Sequence, residues 1–263
     1  MKISIIGCGW LGLPLGKVLV AAGHSVSGST RSIDKFPSIE AAGIQPYQFS
    51  LEPMPTGSEF NELFQTDLLF INIPPGTKRN PPSFYEEQVK YLTYLADQHQ
   101  VSRIIFISST SYYPQTNDWV DERTPYDLSK GSKEAVVQGE KQIRKANAQT
   151  LIFRCAGLMG GNRIAGRWFA GKPTKGADTP VNYIHRDDLI QIISKAIEAA
   201  EWPQPVVNLV CPEHPRRRDV HSAMAQKYGF EVPIWTKPSL NEHKLIRSLY
   251  LEHEFLVPSP LEF

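Results

Sequence analysis

One short segment, Gly7-Cys8-Gly9-Trp10-Leu11-Gly12, constrains the fold of this chain more than any other. It follows an apolar stretch from Lys2 to Ile6 that is typical of a buried strand. It also opens a run of apolar residues at helical spacing from Leu11 to Ala22. A G-x-G-x-x-G pattern often occurs by chance, but it is informative in a turn between a strand and a helix. The context therefore predicts a Rossmann-type βα unit.

Each glycine of this turn has a separate geometric task. Gly7 permits the tight turn, Gly9 lets the backbone approach a pyrophosphate, and Gly12 lets the helix pack closely on the strand. The helix N-terminus then presents free N–H groups and partial positive charge to the phosphates of a dinucleotide. The alternative is a glycine-rich turn with no ligand. We predict that five residues bind NAD(P): Gly7, Gly9, Trp10, Leu11 and Gly12.

Strands and helices alternate beyond this turn. The segments 25–30, 67–73, 103–108 and 149–154 indicate strands, and residues 84–98 have the apolar spacing of a helix. This βαβ alternation is typical of a mostly parallel sheet with helices on both faces. We therefore predict an α/β fold of the Rossmann type, with a doubly wound parallel sheet.

The composition of the chain changes after about residue 156, where glycines alternate with basic residues. Farther along, we predict helices over residues 187–200 and 218–229 and a strand from Val206 to Val210. The end of the chain is expected to be irregular because it contains Pro233, Pro238, Pro258 and Pro260. We place an NAD(P)-binding domain at residues 1–160 and a smaller, interleaved substrate-binding region at residues 161–263.

Net charge and cysteine usage exclude several classes of protein. The net charge of +1 gives no broad field for binding nucleic acid. The three cysteines are far apart and form no C-x-x-C pair, which argues against metal sites and disulfides and favours a reducing compartment, the cytoplasm. Pro14 and Lys17 interrupt the only stretch that resembles a signal peptide, and no segment approaches the ~18 apolar residues of a membrane span. We expect a soluble protein.

The end of the second predicted strand bears on the choice between NAD and NADP. A carboxylate about twenty residues beyond the glycines would bond the ribose 2′-hydroxyl, but Ser29-Thr30-Arg31-Ser32 contains none. Arg31 offers a guanidinium to a 2′-phosphate, helped by the hydroxyl of Ser29, Thr30 or Ser32. The alternative is that Arg31 is a solvated surface residue. We predict that NADP is preferred over NAD.

Four stretches together resemble the extended and atypical short-chain dehydrogenase/reductase family, which includes NAD-dependent epimerases and dehydratases of nucleotide sugars. These stretches are residues 7–12, Ile104 to Tyr113, Phe153 to Gly157, and Asn182 to Leu189. Residues 9–12, 169–172 and 211–215 resemble the YeeZ-type subgroup more narrowly. The resemblance implies a Rossmann fold, a dinucleotide cofactor and a substrate pocket above the carboxyl ends of the strands.

Further cofactor contacts are expected where two strands end. Pro74 and Pro75 follow a buried strand, where the backbone can skirt the ribose of the adenosine or the nicotinamide. An equally good explanation is that these prolines only terminate the strand. We include Ile73, Pro74, Pro75 and Ser108 among the predicted cofactor-binding residues.

In active members of the family, a serine fixes the substrate oxygen, a tyrosine transfers the proton, and a lysine four residues later favours tyrosinate. The resemblance assigns these roles to Ser109, Tyr126 and Lys130. Thr124 as N-cap and Pro125 as the first helical residue would start a helix that holds the last two side chains together.

A second alignment of this region stays open. Only 17 positions separate Ser109 from Tyr126, fewer than extended members usually have. If Glu140 rather than Glu134 matches the family's glutamate, the tyrosine position falls on Ser132 and the lysine position on Val136. A valine can neither bind a ribose nor lower a pKa, so the usual proton transfer would be lost.

Basic residues in the glycine-rich region suit an anionic substrate. We predict substrate binding by four residues, although plain surface charge is the equal alternative: Ser111, Arg163, Arg167 and Lys172. The leading hypothesis is an oxidoreductase or epimerase/dehydratase-like enzyme that acts on a small polar, nucleotide-linked substrate. The rival is a dinucleotide-binding sensor or scaffold that has no turnover. The sequence leaves the oligomeric state open.

Overall fold

The computed structural model describes residues 1–251, 255, 258, 259, 261 and 263, so Pro260 lies outside the described residues. The chain forms two compact units. The first contains residues 1–109, 133–153 and 194–206, and the second contains residues 110–132, 154–193 and 207–263. The predicted functional division at residue 160 stays a prediction.

The helices and strands of the described residues are as follows. The helices are α1 (Gly12–Ala21), α2 (Phe36–Glu40), α3 (Pro82–Gln98), α4 (Glu134–Ile143), α5 (Ala165–Trp168), α6 (Arg186–Glu198) and α7 (Arg217–Lys227). The strands are β1 (Lys2–Ile6), β2 (Ser25–Thr30), β3 (Gln45–Leu51), β4 (Pro55–Gly57), β5 (Leu68–Ile71), β6 (Arg103–Ser109), β7 (Trp119–Val120), β8 (Gln149–Cys155), β9 (Gly157–Met159), β10 (Pro173–Lys175), β11 (Tyr183–His185), β12 (Val206–Leu209), β13 (Ile234–Thr236) and β14 (Leu245–Ile246).

Eight of these described strands form one sheet in the order β12-β8-β6-β5-β1-β2-β3-β4. Strand β1 pairs in parallel with β2 and β5, β2 pairs in parallel with β3, and β5 pairs in parallel with β6. Strand β4 is antiparallel to its neighbour, β3. The predicted Rossmann-type α/β fold with a mostly parallel sheet is confirmed.

Helices pack on both faces of the sheet in the first unit. Because side chains alternate along a strand, Ile5 and Ile6 point to opposite faces. Helix α1 covers the face of Ile5, since a Cβ placed on Gly12 would lie 2.9 Å from the Ile5 side chain. Ile6 belongs to the core beneath α3 and α4, together with Tyr85 and Phe106. The carboxyl ends of the parallel strands therefore lie at one edge of this layered unit.

The second unit contains three small parallel pairs of strands: β10 with β13, β9 with β11, and β7 with β14. Helices α5 and α7 pack closely, because a Cβ on Gly166 would lie only 2.3 Å from the backbone nitrogen of Ala225. Val181, Tyr183 and Met224 belong to the core around them. No helix of the described residues is long and apolar enough to cross a membrane.

Candidate functional site

The glycine turn is tied to the neighbouring strand by its own backbone. The Cys8 N–H donates to the Ser29 carbonyl oxygen, and the Gly7 N–H donates to Ser29 Oγ, each at 2.9 Å. Leu11 caps helix α1 without a side-chain hydrogen bond. The Leu11 side chain therefore leaves open the position where a phosphate would accept from the N–H groups of the helix N-terminus.

The three glycines are required for different reasons. A Cβ on Gly7 would lie 2.6 Å from the Asn72 carbonyl oxygen, and its φ of +104° disfavours other residues. A Cβ on Gly12 would lie 2.3 Å from the Gly7 carbonyl oxygen. Around Gly9, by contrast, no described atom lies within 4 Å of such a Cβ, and its φ is not positive. The protein's own packing does not require glycine there, whereas a backbone-bound ligand would.

Cys8 fills the space between the turn and β2. Its side chain is buried, and a Cβ on Gly28 would lie 2.4 Å from its Sγ. Burial raises the pKa of Cys8 to about 12, so the thiol stays protonated at neutral pH. Cys8 is therefore a small apolar packing residue beneath the turn, not a redox centre.

The end of β2 carries the residues predicted to select the cofactor. Arg31 is exposed and has no ion-pair partner among the described residues. The Thr30 hydroxyl accepts from the Ser32 N–H at 3.3 Å. The Ser32 hydroxyl donates to Asp34 at 3.3 Å, a carboxylate that the sequence analysis did not consider. Asp34 could have been found from the sequence, because it lies only two residues after Ser32.

Residues of α3 and α4 form hydrogen bonds with the segments at the carboxyl ends of β5 and β6. The buried Tyr85 hydroxyl donates to the Ile73 carbonyl oxygen at 3.2 Å, immediately before Pro74 and Pro75. The Ser108 hydroxyl donates to the buried carboxylate of Glu140 at 2.6 Å. Burial raises the pKa of Tyr85, and the charge of Glu140 raises it further. The sequence alone did not predict these contacts of Tyr85 and Glu140.

The predicted helix that begins at Pro125 is wrong. Residues 128–130 form a single 3-10 turn, Gly131 follows with φ of +89°, and α4 begins only at Glu134. The cause is local, because the Asp127 carboxylate accepts from the Ser129 N–H at 3.0 Å and closes a turn that competes with the helix. Tyr126 and Lys130 therefore do not lie one turn apart on an α-helix.

The catalytic residues implied by the resemblance lie on different elements. Ser109 ends β6 in the first unit, and Tyr126 and Lys130 lie in the second. Tyr126 is partly exposed and contacts the Tyr112 ring edge-on at 5.7 Å between centroids. Lys130 Nζ lies 3.8 Å from the Asp127 carboxylate. These assignments stay predictions.

The residues of the second alignment lie at the start of α4. The Ser132 hydroxyl accepts from the Asp127 N–H at 2.9 Å, and Val136 is buried in the first turn of the helix. Glu140 follows Val136 by one helical turn. Helix α4 thus carries a valine, not a lysine, one turn before its buried glutamate.

No protein-family model matches the chain. Its family is instead identified from a relative in Escherichia coli. Protein YeeZ of strain K12 is 33% identical over 235 residues, which cover 88% of this chain and 85% of YeeZ. The chain belongs to the YeeZ family. The resemblance to the YeeZ-type subgroup found in the sequence is confirmed.

Solved structures with 15% identity to the YeeZ-type chain share its fold. UDP-glucuronic acid 4-epimerase from Bacillus cereus, in complex with NAD, has a TM-score of 0.78, with 100% of this chain and 92% of that chain covered. UDP-glucose 4-epimerase from Bifidobacterium longum, in complex with NAD+ and UDP, has a TM-score of 0.77, with 100% and 94% covered.

The predicted substrate-binding residues of the YeeZ-type chain all lie in its second unit. Ser111 lies in a 3-10 turn after β6, Arg167 lies on α5, and Lys172 follows that helix. Burial lowers the pKa of Arg163, which pairs with Gly160 in an isolated β-bridge. Their binding role stays a prediction.

A pocket in the second unit is lined by other residues. Its volume is about 190 Å³, and its polar lining includes Gln115, Asn182, Arg217 and Lys244. The Lys244 ammonium is buried and donates to the Tyr113 carbonyl oxygen at 2.6 Å. No local pattern marks these positions, because they come from four separate segments of the chain. Among the described residues, no group of three or more histidine, cysteine or acidic side chains could hold a metal ion.

Proposed function

We propose that the chain binds a nicotinamide dinucleotide at the turn of Gly7 to Gly12 and acts on a small polar, nucleotide-linked substrate as an epimerase-like oxidoreductase. The observation that carries the proposal is that no described atom lies within 4 Å of a Cβ placed on Gly9, next to a helix N-terminus that the Leu11 side chain does not cap. The fold is that of epimerases crystallised with NAD, one of them also with UDP, which supports the same ligand classes here.

The residues present fit such a cofactor. The turn of Gly9 to Gly12 would hold the diphosphate at the N-terminus of α1, and Ile73 to Pro75 would border the ribose. The Gly9 N–H itself already donates to the Gly7 carbonyl oxygen at 2.8 Å. When bound, the nicotinamide supplies hydride transfer. In this proposal, Ser109 orients the substrate oxygen, and Tyr126 with Lys130 exchanges the proton.

We propose that NADP is the preferred cofactor because Arg31 is exposed, without an ion-pair partner among the described residues. Arg31→Ala should weaken NADPH binding roughly tenfold, the usual effect of losing a charge-assisted hydrogen bond, and leave NADH binding nearly unchanged. Titration that follows nicotinamide fluorescence measures both affinities. Lys90→Ala is the matched control, because it removes an exposed cation on α3 that pairs with Glu87. Tighter NADH than NADPH binding in the wild type would contradict the preference and point to Asp34 as a partner of the 2′-hydroxyl.

A second candidate function is a dinucleotide sensor without turnover. It is favoured by the placement of Tyr126 and Lys130 outside an α-helix and of Val136 at the alternative lysine position. The two functions differ in NAD(P)H consumption and in epimerisation of UDP-sugars. We expect turnover that Tyr126→Phe lowers at least a hundredfold in kcat, with cofactor affinity retained. Cofactor binding with no turnover on any UDP-sugar favours the sensor, and turnover that survives Tyr126→Phe rejects the catalytic assignment.

A further inference from the structure

The buried carboxylate of Glu140 is a costly feature that the proposed function does not yet use. Glu140 is 1% exposed, and charged side chains are rarely buried unless they are paired. One carboxylate oxygen accepts from the Ser108 hydroxyl at 2.6 Å, a length typical of a charge-assisted bond. The other lies 3.6 Å from the Arg144 guanidinium, at the next turn of α4.

Ser108 faces this carboxylate because of its register on β6. Side chains at alternate positions share a face of the sheet, and Phe106 packs in the core beneath α3 and α4. Ser108 continues the face of Phe106 at the carboxyl end of the strand, where it is partly exposed. This edge is the one at which the glycine turn follows β1.

Because of this hydrogen bond, the Ser108 hydroxyl can act only as an acceptor toward a ligand. A hydroxyl has one proton, and Ser108 donates it to Glu140. No described residue donates to Ser108 Oγ, so its lone pairs are open to an N–H or O–H donor. The adjacent carboxylate also polarises the hydroxyl and makes its oxygen a stronger acceptor.

At the lysine position of the second alignment, helix α4 has no cation that could hold a ribose. Val136 occupies the lysine position of the second alignment, and Glu140 lies one turn farther along the same helix. A lysine would donate to ribose oxygens. A serine that donates its own proton to a glutamate can instead accept from ribose hydroxyls. The same sugar can therefore be held with the hydrogen-bond polarity reversed.

We infer that Ser108 and Glu140 form a hydrogen-bond relay that accepts from a ribose hydroxyl in the nicotinamide half of the cofactor. Ser108 contacts the ligand, and Glu140 is a positioning residue that acts through it. The inference rests on the proposed dinucleotide site. It adds that the nicotinamide ribose is bound by an acceptor rather than by a lysine.

The test compares the affinity for the whole dinucleotide with the affinity for its adenosine half. In the wild type and in Ser108→Ala, the affinity for NADPH or NADH, whichever the wild type prefers, is measured by nicotinamide fluorescence. The affinity for the matching adenosine half, 2′,5′-ADP or ADP, is measured by calorimetry. We expect Ser108→Ala to weaken the full dinucleotide roughly tenfold and the adenosine half less than twofold. Ser108→Thr, which keeps the hydroxyl, should restore most of the affinity.

Glu140→Gln checks the relay itself, with thermal unfolding as the control for folding. The amide is a weaker acceptor, so we expect a smaller loss, again confined to the full dinucleotide. Unchanged affinity in Ser108→Ala, or an equal loss for both ligands, would overturn the relay while leaving the dinucleotide site intact. Failure of the wild type to bind either ligand would instead reject the dinucleotide site, and the relay with it.

Discussion

Gly9→Ala should abolish most dinucleotide binding while leaving the fold almost unchanged. The added methyl group meets no atom of the described residues within 4 Å and requires no unusual φ, so the free protein accommodates it. Alanine loses less conformational freedom than glycine on folding, so a small gain in stability is expected. The methyl group instead occupies the space in which the backbone and a pyrophosphate would meet. We expect affinity for NADPH and NADH to fall at least fiftyfold, with a melting temperature within about 2 °C of wild type.

Gly12→Ala provides the contrast because its new methyl group collides with the protein itself. The Cβ would lie 2.3 Å from the Gly7 carbonyl oxygen, a backbone atom that cannot move without opening the turn. This variant should lose both binding and stability, the latter by about 1–3 kcal/mol as in other overpacked sites. Fluorescence titration and thermal unfolding of both variants measure the two effects. If Gly9→Ala binds the dinucleotides as tightly as wild type does, the pyrophosphate does not lie on this turn.

The glycine turn and the sheet around it could be predicted because their signals are local. The strand of residues 2–6 is the observed β1, and the helix predicted over residues 84–98 begins only two residues earlier, at Pro82. Continuous apolar runs between turn residues suffice for strands that are buried on both faces. Strand β3, Gln45–Leu51, escaped prediction because Gln45, Pro46 and Gln48 weaken its apolar pattern. It is a strand because β2 pairs with it on one side and β4 on the other.

The region after β6 shows why the candidate site was harder to predict than the sheet. Thr124 and Pro125 make a good local start for a helix, yet Asp127 closes a short turn and Gly131 takes a left-handed φ. Glu140 has no local mark that separates it from an exposed glutamate. Its only signal is helical spacing, since it lies four residues after Val136 and three before Ile143, both buried. The second unit offers still less, because its strands of two or three residues are defined by distant partners.

His221 in the second unit should make folding stability depend on pH. The side chain is fully buried, and Nδ1 lies 2.7 Å from the Ala165 carbonyl oxygen. A carbonyl only accepts, so Nδ1 carries the proton and Nε2 accepts from the Tyr183 hydroxyl at 2.9 Å. Protonation of Nε2 would reverse its hydrogen bond with the Tyr183 hydroxyl and place a charge in a core of aromatic rings. The neutral imidazole is therefore the form that the fold accommodates.

The sign of the pH effect follows from the shift in pKa. Burial lowers the pKa of His221 below its usual value of 6.5. Below that pH, the unfolded chain binds the proton more readily than the native chain does. The native state is therefore most stable above pH 6.5 and loses stability as the pH falls toward the lowered pKa. Burial also lowers the pKa of His214, which adds to the same trend.

His221→Gln tests this assignment by removing the titrating group. The variant should be about 1–3 kcal/mol less stable at pH 7.5, because the Tyr183 hydroxyl or the Ala165 carbonyl loses its partner. Its further loss between pH 7.5 and 5.5 should be smaller than that of the wild type. Urea unfolding is followed by tryptophan fluorescence in chains that keep Trp168 and carry phenylalanine at the other four tryptophans, so that the signal comes from a ring 5.7 Å from that of His221. Two units need not unfold together, so a local probe is required.

Tyr183→Phe and His214→Gln divide the pH dependence among its causes. Tyr183→Phe removes the hydroxyl but keeps the buried imidazole, so it should lower stability at pH 7.5 while retaining the loss on acidification. His214→Gln should retain the part of the stability loss on acidification that is due to His221. If His221→Gln and the wild type lose equal stability between pH 7.5 and 5.5, the buried imidazole does not control the acid sensitivity of this unit.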